Sequence, residues 1–263
     1  MENKSPGVRD SGALFEENLG YADIPYKSHC TGLHFFGGSE EESIANHAAP
    51  RMPLVKSGGG DLVYGDNYVQ LAENAGFATT ELYNIKSLTV ILAMGDSYRL
   101  SDGVPNPALY MHIHNSSRIS ILRHYGTYDL FQTGLLDADV AFTNYLDGGP
   151  YGSRTRDKRK FTAEMIAISS DSNEVLMVAE DMGPIISRSS DVPAGNSAAY
   201  DGFDSPIRFG GEKSTTAPQD VVWRANAMMI YNRKLTEVEI VDVWRNFLTP
   251  ALKYRGCKTS SRS

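Results

Sequence analysis

The sequence predicts an all-β fold: a two-sheet antiparallel β-sandwich of jelly-roll type, closed by one C-terminal helix. Three observations predict it. Apolar residues alternate with period two over short segments. Gly, Pro, Asn and Asp separate those segments at close intervals. Only the last part of the chain carries a sustained helical pattern, and a lone amphipathic helix in a strand-rich chain docks on a sheet. A chain of 263 residues has room for one large sandwich or two small domains; all-β sandwiches often reach this length as one domain, and an apolar fraction of 41% suffices for a core.

Residues 1–28 are polar and hold Pro6, Gly7, Gly12, Gly20 and Pro25, which predicts an extended arm. The sandwich is expected over 29–250. In it, Leu88, Val90, Leu92 and Met94 alternate with Thr89, Ile91 and Ala93. Leu109, Met111 and Ile113 point one way along a strand, and Tyr110, His112 and His114 the other. Asn115-Ser-Ser117 is a turn, and Arg118 to Arg123 returns as the second strand of a hairpin. Phe161 to Ile168 and Glu174 to Ala179 flank Ser169-Ser-Asp-Ser-Asn173, a second hairpin signal. Ile207 to Phe209 and Ala225 to Tyr231 complete the strands. Two long loops are expected, Asn144 to Arg159 and Met182 to Ser205, and long loops in sandwiches gather at the rims. The helix begins at Thr236, whose spacing from Glu239 is that of a capping box, with Leu235 and Ile240 placed for a hydrophobic staple. Ile240, Val243, Trp244, Phe247 and Leu248 form its apolar face, and Pro250 is expected to stop it. Residues 251–263 read as a flexible basic tail.

The closing string Ile230-Tyr-Asn-Arg-Lys-Leu-Thr-Glu-Val-Glu-Ile240 resembles the end of concanavalin A-like, laminin-G-type sandwich domains. Pro206-Ile-Arg-Phe-Gly-Gly211 is similar to the family's strand that ends in Gly-Gly. Gly32-Leu-His-Phe-Phe-Gly-Gly38, Ser43-Ile-Ala-Asn46 and Tyr68-Val-Gln-Leu71 resemble the opening of lectin-like proteins encoded by phages and prophages. The resemblance spans roughly residues 30–250 and implies the sandwich. Its function varies, because this fold hosts lectins, adhesion modules and hydrolases.

Composition excludes some classes. A net charge of −7, with pI near 5.4, is opposite to that of a general nucleic-acid binder. No apolar run is long enough to cross a membrane as a helix. Residues 1–20 hold no secretory signal pattern, so synthesis and folding in a cytoplasm are expected. Cys30 and Cys257 are the only cysteines, near opposite ends of the folded region; they can pair or stay reduced.

Catalytic strings are absent. The related β-glucanases place acids as Glu-x-Asp-x-x-Glu along one strand, and no such string exists here. Glu40-Glu-Glu42 belongs to a loop, and Glu237, Glu239 and Asp242 to the helix; a pair such as Glu164 and Glu174 stays open. No Gly-x-Ser-x-Gly elbow precedes a helix. His29 beside Cys30 points to the other face of a strand. His112, His114 and His124 can share a hairpin face and ligate zinc, or simply form a polar face. The resemblance implies calcium as the candidate cofactor, with Asp96, Asp102, Asn144, Asp147, Asp201 and Asp204 supplying hard oxygen ligands, although no calcium-loop spacing is present. Arg154-Thr-Arg-Asp-Lys-Arg-Lys160 holds five cations in seven residues and suits an anionic partner or a solvated loop.

Sugar recognition needs aromatic faces beside polar clamps in a concave site. Tyr125, Tyr128 and Asp129 follow the histidine strand. Tyr145, Asp147, Tyr151 and Arg154 occupy one long loop, and Tyr200 and Asp201 the other. Fourteen Tyr against ten Phe lean toward aromatics with a polar handle, which suits binding surfaces and half-buried strands alike. The expected function is therefore non-catalytic: a phage virion adhesion or structural subunit (tail fibre, spike or capsid decoration) with lectin-like loops. It would bind other virion proteins and a host surface glycan, as a homo-oligomer whose repeated copies give avidity. The alternatives are a glycan hydrolase or lyase, an architectural virion protein without a glycan, and an exported laminin-G-like adhesion module.

Overall fold

The structure is a computed structural model that describes residues 24–84, 86–95, 98–102, 108–113, 119–125, 128–137, 140–150, 162–180, 185–191, 204–211 and 220–259; between 112 and 150 it is the backbone that is described. The chain enters through β1 (Cys30–Phe35), turns at Gly37 and Gly38, and forms the short helix α1 (Glu40–Ile44), capped by the Ser39 side chain. Short strands follow: β2 (Leu54–Gly58), β3 (Val63–Tyr64), β4 (Val69–Ala72), β5 (Ala75–Thr79), β6 (Tyr83–Asn84), β7 (Ser87–Met94) and β8 (Tyr98–Arg99). A meander comes next, β9 (Ala108–Ile113), β10 (Ile119–Tyr125), β11 (Tyr128–Asp137) and β12 (Val140–Pro150). The chain closes its sheets with β13 (Thr162–Asp171), β14 (Glu174–Glu180), β15 (Ile185–Asp191), β16 (Asp204–Ser205), β17 (Ile207–Gly210) and β18 (Val221–Tyr231).

Two antiparallel layers result. One runs β15–β14–β13–β7–β18–β1, with the N-terminal half of β18 also bordering β4 and β8. The other runs β2–β5–β17–β9–β10–β11–β12. Ala72 opposite Ala75 carries the chain from β4 to β5 and so from layer to layer. Both predicted hairpins form, β9 with β10 and β13 with β14.

The period-two pattern of β7 divides its side chains between two cores. Leu88, Val90, Leu92 and Met94 enter the seam between the sheets, against Phe77, Phe209, Ile166 and Trp223. Phe36, Phe77 and Phe209 meet there with ring centroids 5.2–5.7 Å apart; burying each such ring contributes about 1.5–3 kcal/mol. Ile91 and Ala93 face the opposite way and pack under the C-terminal helix with Met165, Val178 and Met229.

That helix starts as predicted. In α2 (Glu237–Asp242) the Thr236 side chain accepts from the Glu239 N–H and the Glu239 carboxylate accepts from the Thr236 N–H. Leu235 and Ile240 are both buried in one cluster, the staple. Pro250 does not stop it. A π-helical stretch, Val243–Leu248, precedes α3 (Thr249–Tyr254), and the Thr249 N–H donates to the Trp244 carbonyl five residues back. The widened turn places Pro250 at the start of a new α segment, where its missing N–H costs nothing. Residues 251–259, expected as part of a tail, carry the last helical turn, bury Ala251, Leu252 and Cys257, and end in β19 (Lys258–Thr259), which pairs parallel with Thr162–Ala163. Residues 260–263 and 1–23 lie outside the described residues. Of the expected arm, Ile24 is buried under the helix and the Pro25 carbonyl accepts from the Tyr231 hydroxyl.

Strands replace parts of both expected long loops. β12 continues to Pro150, because residues 140–150 pair with β11 along its length. β15 pairs with β14 from Glu180–Ile185 to Glu174–Asp191. Its polar sequence reads as a loop, but an edge strand with one watery face tolerates such residues. Cys30 and Cys257 are both buried free thiols.

Candidate functional site

The site grows from a fault in β18. Ala225 is opposite Met94 and Ala227 is opposite Ala93, so Asn226 is an extra residue, a β-bulge. The bulge carbonyl still has a partner, the Phe36 N–H at 2.9 Å. The Asn226 side chain is buried, and its Nδ2 donates to the Asn67 carbonyl at 2.9 Å and to Cys257 Sγ at 3.6 Å. On either side of the bulge alternation decides direction. Trp223 and Ala225 enter the seam between the sheets, so Arg224 emerges on the outer face. In β4 Val69 points into the same seam, so Tyr68 emerges beside Arg224.

Two glycines bring the remaining walls in. Gly37 has φ +119°, and a Cβ there would lie 2.6 Å from the Tyr68 nitrogen and 2.7 Å from Asn67 Cα. Only glycine lets the β1 turn press so close against Asn67–Tyr68. At the end of α3 the Gly256 N–H donates to the Lys253 carbonyl and the Cys257 N–H to the Leu252 carbonyl, with Gly256 at φ +78°. This is the Schellman arrangement. It turns the chain so that Cys257 and Lys258 descend beside the bulge, while the Asn67 amide fixes the turn through the Arg255 carbonyl at 3.1 Å.

Between these walls lies a cavity of about 250 Å³, lined by Asn67, Tyr68, Arg224 and Asn226 and closed by Gly256–Lys258. The Arg224 guanidinium lies 4.1 Å from the centre of the Tyr68 ring, a cation–π contact that restrains both side chains. Arg255 stands behind, its Nη2 donating to the Phe36 carbonyl at 3.3 Å and its guanidinium 5.3 Å from the Phe35 ring. Burial pushes the Cys257 thiol up to about 11 and the Cys30 thiol up to about 12, so both stay protonated and non-nucleophilic at neutral pH. The arrangement offers an aromatic ring, two amides and two cations in one concavity. That suits binding a small polar molecule.

The acids are placed differently. Glu164 shares the face of Ile166 and Ile168, toward the seam. Glu180 follows Val178 to the opposite face, where it accepts from the Trp244 indole. These two buried carboxylates are thus on opposite sides of the sheet. Glu174 is held by Lys234, which also binds Asp171 at 3.0 Å.

The residues expected to bind sugar lie elsewhere. Tyr125 is opposite Asp129 across β10–β11, and Asp147 is opposite Leu130, so the backbones of Tyr125, Tyr128, Asp129 and Asp147 gather at one end of the meander; Tyr145, opposite Gln132, lies two residues farther in. They sit in strands rather than loops, in the layer that does not carry the cavity. Tyr151, Arg154, Tyr200 and Asp201 lie outside the described residues, as do Asp96, His114 and the basic run 154–160. His112 is placed opposite Ser120 and Arg208, and His124 opposite Leu130. Asn144 is opposite Thr133, Asp204 opposite Asn84, and Asp102 pairs with Arg99 at 3.0 Å. Among the described residues no group of three or more His, Cys, Asp or Glu is placed to hold a metal, and no helix is long and apolar enough to cross a membrane.

No protein family and no curated protein matches this chain. Solved structures do. The ligand-binding domain of botulinum neurotoxin serotype D, in complex with N-acetylneuraminic acid, aligns over 87% of this chain and 53% of its own at TM-score 0.59 and 11% identity. The binding domain of Paraclostridial Mosquitocidal Protein 1 aligns over 84% of this chain and 53% of its own at TM-score 0.52 and 16% identity. A Trypanosoma rangeli sialidase, with 2,3-difluorosialic acid as a covalent intermediate, aligns over 84% of this chain and 33% of its own at TM-score 0.54 and 12% identity. The likeness is one of fold: this chain is an all-β sandwich with a C-terminal helix. It spans about half of each toxin binding domain and a third of the sialidase.

Proposed function

We propose that this chain is a non-catalytic carbohydrate-binding module. The observation that carries the reading is the outer-face cavity, where Tyr68, Asn67, Asn226 and Arg224 combine an aromatic ring with polar clamps in a space of about 250 Å³. Supporting it, one toxin domain of the same fold is solved with N-acetylneuraminic acid, and another belongs to botulinum neurotoxin type C, which depends on two ganglioside molecules to enter cells. Against catalysis stand the opposed directions of Glu164 and Glu180 and the raised thiols of Cys30 and Cys257. The finer reading is adhesion: a phage virion subunit, laminin-G-like, displaying the site in many copies toward a host surface glycan. It rests on the opening resemblance at residues 32–71.

A glycan array read with wild type and with Tyr68→Ala and Arg224→Ala tests the site. Binding by wild type that both variants lose supports it. Array silence sinks the module reading. Binding that survives both variants but falls with Tyr125→Ala or Tyr128→Ala moves the site to the meander. Reducing ends released from a surface polysaccharide would make the chain an enzyme, and absence from purified particles would remove the virion role.

A further inference from the structure

We infer that Asn226 Oδ1 is the specificity-determining atom of the cavity and selects a sugar by a hydroxyl that donates to it; this rests on the carbohydrate reading and deepens it. Asn226 lines the cavity, yet it is only 8% exposed. Its partners fix which way its amide points. The Asn67 carbonyl, 2.9 Å from Asn226 Nδ2, can only accept, so the nitrogen and not the oxygen faces it. The second amide hydrogen goes to Cys257 Sγ at 3.6 Å. Both hydrogens of Nδ2 are thereby spent inside the wall. Among the described residues no donor reaches Asn226 Oδ1. The side chain therefore offers a ligand an acceptor and no donor.

Other acceptors at this wall are taken. The Asn226 carbonyl accepts from the Phe36 N–H at 2.9 Å. The Asn67 carbonyl accepts from Asn226 Nδ2 and also from the Cys257 thiol at 3.6 Å. Burial pushes that thiol up to about 11, so it keeps the proton it donates. Asn67 Nδ2 gives one hydrogen to the Arg255 carbonyl and retains another, so Asn67 is a less exclusive contact than Asn226. The Arg224 guanidinium, stacked 4.1 Å from the Tyr68 ring centre, completes the wall as a flat surface. A sugar that enters displaces the water around Asn226 Oδ1. A ligand hydroxyl that donates to it replaces that water, whereas a ligand group without a proton leaves an almost buried acceptor unpaired.

Calorimetric titration of the full chain with methyl glucoside, methyl galactoside and methyl mannoside, and with the monodeoxy and monodeoxyfluoro forms of each that binds, tests this. Fluorine keeps much of the size and polarity of a hydroxyl but has no proton to give. At one ring position the deoxy and the deoxyfluoro forms are both expected to bind about tenfold weaker than the parent. In Asn226→Ala that penalty is expected to shrink to about twofold or less, because the acceptor is gone. A purely structural role for Asn226 would weaken parent and deoxy forms alike and keep their ratio, which overturns the inference. The wild-type series decides even where Asn226→Ala does not fold. Deoxyfluoro forms that bind as tightly as the parent at every position overturn the inference and leave the carbohydrate reading standing. Silence of all three parent glycosides overturns both.

Discussion

Asn46→Ala is expected to destabilise the protein by about 3 kcal/mol, although the residue touches no ligand. The Asn46 Oδ1 accepts from the Leu33, Ala48 and Ala49 N–H groups at 3.0–3.1 Å, and its Nδ2 donates to the Thr31 and Met52 carbonyls at 3.0 and 2.9 Å. Leu33 and Thr31 belong to β1, which pairs with β18 on one side. On the other side the segment around Asn46 takes the place of a neighbour, with the His47 N–H donating to the Leu33 carbonyl at 2.8 Å. Five bonds at about 1 kcal/mol net each set an upper value near 5 kcal/mol, and water reaching the freed groups recovers part of it. A loss of about 3 kcal/mol corresponds to a Tm lower by roughly 6–12 °C for a domain of this size. Urea unfolding followed by tryptophan fluorescence reads it as a lower midpoint at unchanged m-value. Asn46→Asp keeps the three acceptor bonds but turns an oxygen toward two carbonyls, so it is expected to be no better than alanine. A midpoint shift worth less than 0.5 kcal/mol in Asn46→Ala would show that the side chain merely decorates the edge, and the account of β1 would be wrong.

Three other outcomes follow from buried contacts. His34 Nδ1–H donates to the Ala45 carbonyl, 2.9 Å away, and burial holds its pKa down to about 3. The unfolded chain binds a proton near pH 6.5 that the folded chain refuses, so stability is full above that value and falls as pH drops toward 3; urea midpoints should show about 2 kcal/mol lost between pH 7 and pH 5, absent in His34→Gln. Gly37→Ala puts a Cβ 2.6 Å from the Tyr68 nitrogen at φ +119° and is expected to cost about 3 kcal/mol in thermal melts and to weaken glycan binding as Tyr68 shifts. Trp244→Phe removes the indole donor to the buried Glu180 and is expected to cost about 3 kcal/mol, part of which Glu180→Gln in the same chain should restore in a double-mutant cycle.

The fold was legible where one residue's environment follows from its near neighbours in sequence. Leu88 to Met94 announce two faces because alternation is local, and the structure gives each face its own core. Thr236, Glu239, Leu235 and Ile240 announce a helix start because a cap is four residues long. Pro250 misled for the complementary reason. Whether proline ends a helix depends on the turn before it, and the π stretch Val243–Leu248 is stabilised by Trp244, Phe247 and Leu248 packing on a distant sheet. The run of Ala251, Leu252 and then Gly256 was the available sign that the helix continued to a glycine cap.

The cavity was illegible for a stricter physical reason. A bulge is a count of residues on one strand against those on another, and the strands that reveal Asn226 as extra are separated from it by more than a hundred residues. Nothing in Arg224-Ala-Asn226 distinguishes a bulge from a continuous strand. Its walls depend on two further events: Gly37 admits Asn67 and Tyr68, and Gly256 admits Cys257 and Lys258. Had the helix ended at Pro250, the segment that closes the cavity would not reach it, since α3 supplies the turn that Gly256 caps. The widened π turn that lets the chain pass Pro250 is therefore a condition of the site as well as of the fold. The Tyr-rich segments suggest a binding surface because aromatic content is visible residue by residue. The concavity instead forms where three segments distant in sequence converge on one irregular strand, and it uses a single tyrosine, Tyr68.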